Sequence, residues 1–544
     1  MTMWSPLPTK ARAVGCRQPY SFFFDFVGRY WKSDSNRIPI HRICTLARKQ
    51  GATFFVLEDA IDRPAVRTEL NALDIARGGN GTAEALCFSF FSSPDWPDVV
   101  GETDISRVDI AKIDRRHFLG QAVIINYRQA GAAGFGLSYL FEAIFPVPSL
   151  RTKRGVRRKL LNNFIYTEEK FVCKVLGRQF STAGLYYCQQ NSLTHVCAHA
   201  SLRMALTSAA NAKVTPDYVN MLLGVVPPCG GLALGDLVRI IEDQGKRAEV
   251  ITCQKLDRKT GKYLPVLPRE IYISVLASIV ESGNKALLTF STAEDNGAGA
   301  SAGPDHVVLV FGHTRHSDEW HPQAIPAYAG PASALYYPAS SWIDHFLIHD
   351  DNFGPYYTLS SSALEFKKEV SAHTIIAIRD NPIGTASQFA EANTASQLAN
   401  LLPTLSKLGS GRWFDYLTAK QRKYVLRTIL VTKEEYLTHL RTARGHDGSR
   451  MSSSEVRPFK NLPDRFWMVE FSLPPLFTGN HSKLGEAIVS VDKVAESPDD
   501  ASILALRLPA LALLAEGAGP LMPHTCSLNS HIGIFQLKAH PEVW

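Results

Sequence analysis

Apolar positions along this chain follow two spacings, and the clearest lies just after its first third. Residues 198, 202, 205 and 206 fall at i, i+4, i+7 and i+8, one face of a helix, directly after the polar stretch Gln189-Gln190-Asn191-Ser192. That helix begins near Cys197, and Thr194, three residues earlier, is its expected N-cap. Upstream, the apolar runs 52–57, 85–91 and 121–127 predict buried strands. Residues 64–73 predict a helix with Pro64 at its first position, where a missing N–H costs little, and Asp62 as its cap. The Gly-Gly-Asn-Gly cluster at 78–81 is a turn, and with no lysine and hydroxyl residue behind it, it is not a phosphate loop.

Downstream of Cys197 the punctuation is regular. Thr215-Pro216 opens a helix that Gly224 closes, residues 234–244 form a helix stopped by Gly245, and residues 248–253 form a strand. A helix over 268–282 and a strand over 286–290 lead through the glycine-rich loop 296–303 to Asp305, His306 and the apolar strand 307–311. Residues 345–348 form a strand ending in His349, Asp350, Asp351 and Asn352, and residues 373–378 form a further strand placed to complete the same sheet. Helices come first and strands second, which is an α+β order. Beyond it, residues 388–402 and 419–442 predict helices, 444–454 a polar mobile stretch, and 466–471, 487–494 and 503–508 strands.

Composition narrows the class. Over 544 residues, 45% hydrophobic and 20% charged residues are ordinary globular proportions with ample core. There is no apolar run near residue 1 of the kind a signal peptide needs, and the best membrane candidate, 503–514, is short and carries Arg507 and Pro509. A cytoplasmic protein without a membrane partner is expected. Nine scattered cysteines with no CxxC pair exclude a disulfide framework and a cysteine-rich zinc module. The charge of +7 is concentrated in Arg151, Lys153, Arg154, Arg157, Arg158 and Lys159, but aromatic interleaving is poor. We read that run as a solvated linker near a boundary at 165, not as a nucleic-acid site.

Three residues then carry chemistry. A cysteine in the first turn of a helix meets unpaired N–H groups and the positive end of the helix dipole, both of which favour the thiolate nucleophile. A thiolate needs a base, and the base needs an acceptor on its other ring nitrogen. His306, at a strand start, and Asp350, at a strand end, are the candidates, with Asp351 and Asn352 as alternatives for the third place.

The order Cys197, His306, Asp350 resembles that of the papain-like cysteine peptidases, and within them the branch typified by bacteriocin-processing peptidases. The likeness is carried by Gln190 with Cys197-Ala-His-Ala-Ser-Leu-Arg-Met, Gly231 with the helix 234–244 and Gly245, Asp305-His306-Val-Val-Leu-Val, and Ile348-His-Asp350 with Phe353-Gly-Pro. It covers roughly residues 185–359 and implies a papain-like catalytic domain, placed at 166–380; the chain on either side reads as a mixed α/β region at 1–165 and a C-terminal α+β region at 381–544 for partner or substrate recognition, with a protein partner expected through the N- or C-terminal region. It also implies Cys197 as nucleophile, His306 as base and acid, Asp350 as orienting group, and a glutamine that helps the Cys197 N–H stabilise an oxyanion. That glutamine usually precedes the cysteine by six residues. Here Asn191 holds the sixth place, with Gln190 at the seventh and Gln189 at the eighth, and a one-residue bulge would restore Gln190. Ala198 stands where many members have glycine or tryptophan, and the segment between His306 and Asp350 carries a Pro-, Ala- and Tyr-rich tip at 320–337, a lid or substrate-selecting flap.

The expected activity is hydrolysis of a peptide or isopeptide bond in a protein or peptide substrate, with no cofactor. The alternatives are a transglutaminase-like acyl transferase with the same triad, and a non-catalytic binding protein on the same fold. Metal chemistry competes for some of these residues. His195 and His199 are four apart, but Val196 stands where a zinc metallopeptidase has glutamate. His345 with His349, and His313, His316 and His321, repeat metal-like spacings, and no metal is assigned to them.

Overall fold

The computed structural model describes residues 11–15, 21–92, 102–147, 149–151, 157–159, 163–165, 167–209, 211, 214–292, 304–315, 336–365, 370–405, 424–515 and 519–537. Helices and strands are mixed throughout, and no helix among the described residues is long and apolar enough to cross a membrane.

Strands β1 (Arg12–Gly15), β2 (Phe54–Asp59), β3 (Thr82–Phe91), β4 (Glu102–Asp104), β5 (Phe118–Arg128) and β6 (Leu137–Phe145) are interleaved with helices α1 (Ser21–Tyr30), α2 (Ile38–Lys49), α3 (Pro64–Ala76) and α4 (Arg107–Lys112). Next come a hairpin, β7 (Ser149–Arg151) with β8 (Arg157–Lys159), and the short β9 (Asn163–Ile165). Strands β10 (Glu169–Val175) and β11 (Arg178–Tyr187) then return to the first sheet, which is antiparallel in the order β10-β11-β6-β5-β3-β2-β1-β4. The boundary expected at 165 therefore does not coincide with a break between sheets. Part of the basic run that suggested it is paired backbone instead of open linker. Helix α3 is capped by the backbone of Arg63 without a side-chain bond, so Asp62 is not its cap.

Helices α5 (Cys197–Leu206), α6 (Pro216–Leu223) and α7 (Leu234–Asp243) cross to the second half, followed by β12 (Arg247–Thr252), the hairpin β13 (Gln254–Asp257) and β14 (Lys262–Pro265), and α8 (Arg269–Glu281). Strands β15 (Lys285–Thr292), β16 (His306–Arg315), β17 (Tyr336–Pro338), β18 (Ile343–Asp350), β19 (Gly354–Ser360) and β20 (Val370–Arg379) follow. The second sheet is antiparallel in the order β12-β20-β15-β16-β18-β19, with β9 added along β16. Its strands are continuous apolar runs because both faces are covered. Leu287, Val307, Leu309 and Phe311 face a core shared with α5, α7 and the first sheet. Their neighbours Leu288, Val308 and Val310 face α8, which is buried from Tyr272 to Glu281. The loop 296–303 and most of the 320–337 tip, with His316 and His321, lie outside the described residues.

Helix α9 (Ser387–Leu405) leads to the third sheet, made of β17 with β21 (Tyr424–Thr432), β22 (Arg465–Ser472), β24 (Gly485–Ser490), β25 (Ile503–Leu508), β26 (Leu511–Ala515) and β27 (Leu521–Thr525), while β23 (Ser482–Lys483) pairs elsewhere. Two expectations fail here. Where a single helix was expected over 419–442, the described part, from 424 on, is the strand β21 and then the helix Lys433–Thr442. The switch occurs where Thr432 Oγ1 accepts the Glu435 N–H and Glu435 takes back the Thr432 N–H, a capping box that starts a helix after a β-branched run. The stretch expected to be mobile, 444–454, is a folded turn, closed by the Gly445 N–H to Ser449 carbonyl bond and by Ser452 capping Glu455.

A chain of buried charges fastens this sheet to α8. Arg315 of β16 and Arg427 of β21 both bind Glu281, and Arg427 Nη1 lies 2.7 Å from Glu470. Lys483 continues it, 2.7 Å from Glu470 and 3.1 Å from Glu486, and Arg507 holds Glu486 through two bonds of 2.5 Å. The arginines beside Glu281 hold its carboxyl well below the usual range despite burial.

Candidate active site

Cys197 is the first residue of α5 and is half-buried, whereas the other cysteines among the described residues are buried. The N-cap is the extended Val196, not Thr194. Thr194 is instead part of a buried hydrogen-bond cluster that shapes the turn ahead of the helix. Asn191 Oδ1 accepts the N–H groups of Leu193 and Thr194, both at 2.9 Å, and of His195 at 3.3 Å. Its amide donates to Glu69 of α3 at 2.9 Å and to Thr194 Oγ1 at 2.7 Å. Glu69 also accepts Tyr139 Oη at 2.9 Å and Thr194 Oγ1 at 2.7 Å. The residue at the sixth place before the cysteine is thus a scaffold for the turn, turned inward and 6% exposed.

His306 opens β16. Its Nε2 lies 3.1 Å from Asp350 Oδ2 at the end of β18 and 3.7 Å from Asp351 Oδ1. The Cys197 thiol lies close enough to the ring to help raise its pKa, and with Nε2 facing the carboxylates Nδ1 is the nitrogen left for it. Burial by itself would lower the His306 pKa. The bond to Asp350, the Cys197 thiol and the charges of Asp350 and Asp351 outweigh it and raise the pKa to about 10. The sheet places the two partners: β16 pairs with β18 through Leu309 and His349, so the start of one strand lies beside the end of the other. Helix α5 is tied to the same spot by Ser201 Oγ, one turn beyond Cys197, which donates to the Val307 carbonyl at 2.9 Å.

Asp350 is aimed by the turn that follows it. Its Oδ1 accepts the N–H groups of Asn352 at 2.8 Å and Phe353 at 3.1 Å, which leaves Oδ2 for the imidazole. Tyr187 Oη donates to the carbonyls of Asp350 and Asp351 at 3.2 and 3.3 Å. Gly354 closes the turn at φ +114°, where a Cβ would also sit 2.8 Å from Arg42 Cβ, so the position requires glycine. Of the three alternatives for the third place, Asp350 is the one hydrogen-bonded to His306. Asp351 approaches without a hydrogen bond, and burial, with the charge of Asp350, pushes its pKa up to about 7 against the attraction of His306. Asn352 instead accepts the Gln190 side-chain amide at 3.2 Å.

That bond brings Gln190 to the carboxylate turn. Gln189 is turned away from it: its oxygen accepts the Leu140 N–H at 3.1 Å and its amide donates to the Asn36 carbonyl at 3.1 Å. Four histidines weighed as metal ligands are engaged elsewhere. His195 Nε2 faces the Gln189 carbonyl at 2.9 Å, His199 Nε2 the Asn220 side chain at 2.9 Å, and His313 Nε2 Glu281 at 2.8 Å. His349 sits among Tyr187, Phe311 and Tyr356, where burial pushes its pKa down to about 3. A set of a different kind exists at the site itself, where His306, Asp350 and Asp351 offer donor atoms within 4.8 Å of one another.

Sequence reading missed Ser201, Tyr187 and Glu69 as supports. Glu69 had a usable signal, a carboxylate on the apolar face of the helix expected at 64–73. Ser201 and Tyr187 had none, since their partners are backbone carbonyls more than a hundred residues away. Neither the known protein-family models nor the curated proteins provide a match to this chain.

Proposed function

We propose that the chain is a papain-like thiol hydrolase that cleaves a peptide or isopeptide bond through an acyl-enzyme on Cys197. One observation carries this reading: the series Cys197, His306, Asp350, with His306 hydrogen-bonded to Asp350 and the Cys197 thiol beside the same ring, built on a helix start, a strand start and a strand end. The imidazolium and the N-terminal end of α5 favour negative charge on the sulfur. The thiolate attacks the substrate carbonyl, and the Cys197 N–H at the open end of the helix takes the developing oxyanion, with the Gln190 amide as second donor once it leaves Asn352. His306 gives its Nδ1 proton to the leaving amine, and the thioester forms. Neutral His306 then takes a proton from water as the water attacks the thioester, and the acid product leaves with the thiol restored. Asp350 keeps Nε2–H in place throughout, so the ring presents the same nitrogen to sulfur and leaving group.

The test is a peptide carrying a carbonyl-like electrophile at the scissile position, followed by peptide mapping. Adduct formation at Cys197, lost in Cys197→Ala and strongly slowed in His306→Ala, is expected. Labelling that survives Cys197→Ala overturns the reading. With a cleavable substrate, added amines separate hydrolysis from acyl transfer by product mass.

A further inference from the structure

The nitrogen of His306 that does not serve the sulfur faces two carboxylates, and only one of them is used. Asp351 is wholly buried, and neither of its oxygens accepts a hydrogen bond from another residue. With no donor from another residue, that buried carboxylate is left to be compensated by the charge of the His306 ring, by a proton or by a bound cation. Its Oδ1 lies 3.7 Å from His306 Nε2, Asp350 Oδ2 lies 3.1 Å from the same atom, and the three donors fall within 4.8 Å of one another. Two ligands held at about 2.1 Å from one ion stand roughly 3.0 Å apart at a right angle and roughly 3.4 Å apart at the tetrahedral angle. The observed 3.1 Å falls between those values and the observed 3.7 Å a little beyond the second. Asp350 Oδ1 is already fixed by two backbone N–H groups, the outer support that orients a ligating carboxylate.

We propose that His306 Nε2, Asp350 and Asp351 form a site for a first-row divalent cation, which regulates the thiol centre from the far side of its imidazole. The donor set of one imidazole and two carboxylates suits Zn²⁺ or Mn²⁺ more than Mg²⁺, which accepts nitrogen poorly. Binding exchanges the Nε2 proton for the ion, and Asp351 gives up any proton it carries, so protons leave as the ion enters. With the ion on Nε2, His306 is a neutral imidazole whose single hydrogen is on Nδ1. Giving that hydrogen to a leaving amine would create an imidazolate, so the ring ceases to act as an acid while the sulfur stays unligated. The regulatory consequence rests on the thiol hydrolase reading; the site itself does not.

Zn²⁺ titration of the full chain by calorimetry tests the site. One site is expected, with affinity falling as pH is lowered, at least about tenfold weaker in Asp351→Asn and unchanged in Cys197→Ala. Co²⁺ substitution should give a spectrum without a thiolate charge-transfer band. Equal affinity in Asp351→Asn, loss of the site in Cys197→Ala, or a thiolate band overturns the proposal. Circular dichroism checks each variant, and Asp350→Asn supplies the same test if Asp351→Asn does not fold. Zn²⁺ binding without electrophile capture at Cys197 would sink the hydrolase reading alone. Capture without the carboxylate-dependent site would sink the cation proposal alone.

Discussion

Replacing Asn191 by alanine probes the turn that sets the start of α5. The side chain makes five hydrogen bonds: three accepted from the N–H groups of Leu193, Thr194 and His195, and two donated to Glu69 and Thr194. Thr194 and His195 are wholly buried, so water does not replace the lost acceptor. A buried group left without its partner costs about 1–3 kcal/mol, and a shared acceptor costs less for each donor than a private one. Taking about 1 kcal/mol for each N–H, plus the loss of two donors from the Glu69 cluster, gives roughly 3–5 kcal/mol. Urea unfolding followed by circular dichroism reads this as a lower midpoint for the first transition. Electrophile capture at Cys197 should slow in parallel, because the turn no longer fixes the helix start. Asn191→Asp is the informative contrast: it keeps the three accepted bonds but places a second carboxylate beside Glu69, so its defect should shrink on acidification. A cost below about 1 kcal/mol for Asn191→Ala, with capture unchanged, would refute the role given to this residue.

Three further outcomes follow from the charges. His306 titrates at about 10 when folded against 6.5 when free, so its contribution to stability is complete below pH 6.5 and is lost as pH rises through 10. Asp350→Asn removes the charge that holds the proton, so this loss should move to lower pH in pH-dependent unfolding; an unshifted curve contradicts it. Asp351 titrates at about 7 when folded against 3.8, so its contribution is complete below pH 3.8 and is lost as pH rises through 7. In metal-free buffer Asp351→Asn should flatten the fall in stability over that window, and a fall parallel to the wild type would exclude it. Glu281→Ala removes the carboxylate that Arg315 and Arg427 share, leaving Arg427 to Glu470, with an expected cost of about 3–5 kcal/mol in denaturant unfolding; less than about 1 would mean the remaining partners compensate.

Much of the candidate site was legible because its chemistry lies at punctuation points. Cys197 follows a polar stretch and opens an amphipathic helix, while His306 and Asp350 sit where apolar runs begin and end. Periodicity locates such places, although it does not settle contacts across the sheet. The choice among Asp350, Asp351 and Asn352 was open in the sequence because alternation does not resolve three polar residues in a turn. It depends on two backbone N–H groups folding onto Asp350 Oδ1. The run of basic residues that suggested a boundary at 165 resembles a linker, yet β11 pairs back onto β6 from beyond it and carries β10 along its outer edge. The helix expected over 419–442 came from mixed charges at helical spacing. Cross-strand packing of Val425, Ile429 and Val431 decided the strand instead, and only tertiary neighbours supply that preference.

The pairing of Cys197 with His306 is tested most directly by the rate of iodoacetamide alkylation at Cys197 as a function of pH, resolved by peptide mapping in the wild type and in His306→Ala. Exposure alone favours Cys197 over the buried cysteines, so the decisive quantity is the pH dependence and not the selectivity. A wild-type rate already high and nearly level across neutral pH, replaced in His306→Ala by a slow rate that climbs toward alkaline pH, is the predicted result. Two superimposable profiles, both climbing as a free thiol's does, would show that the imidazole leaves the sulfur unchanged and would contradict the thiol hydrolase reading.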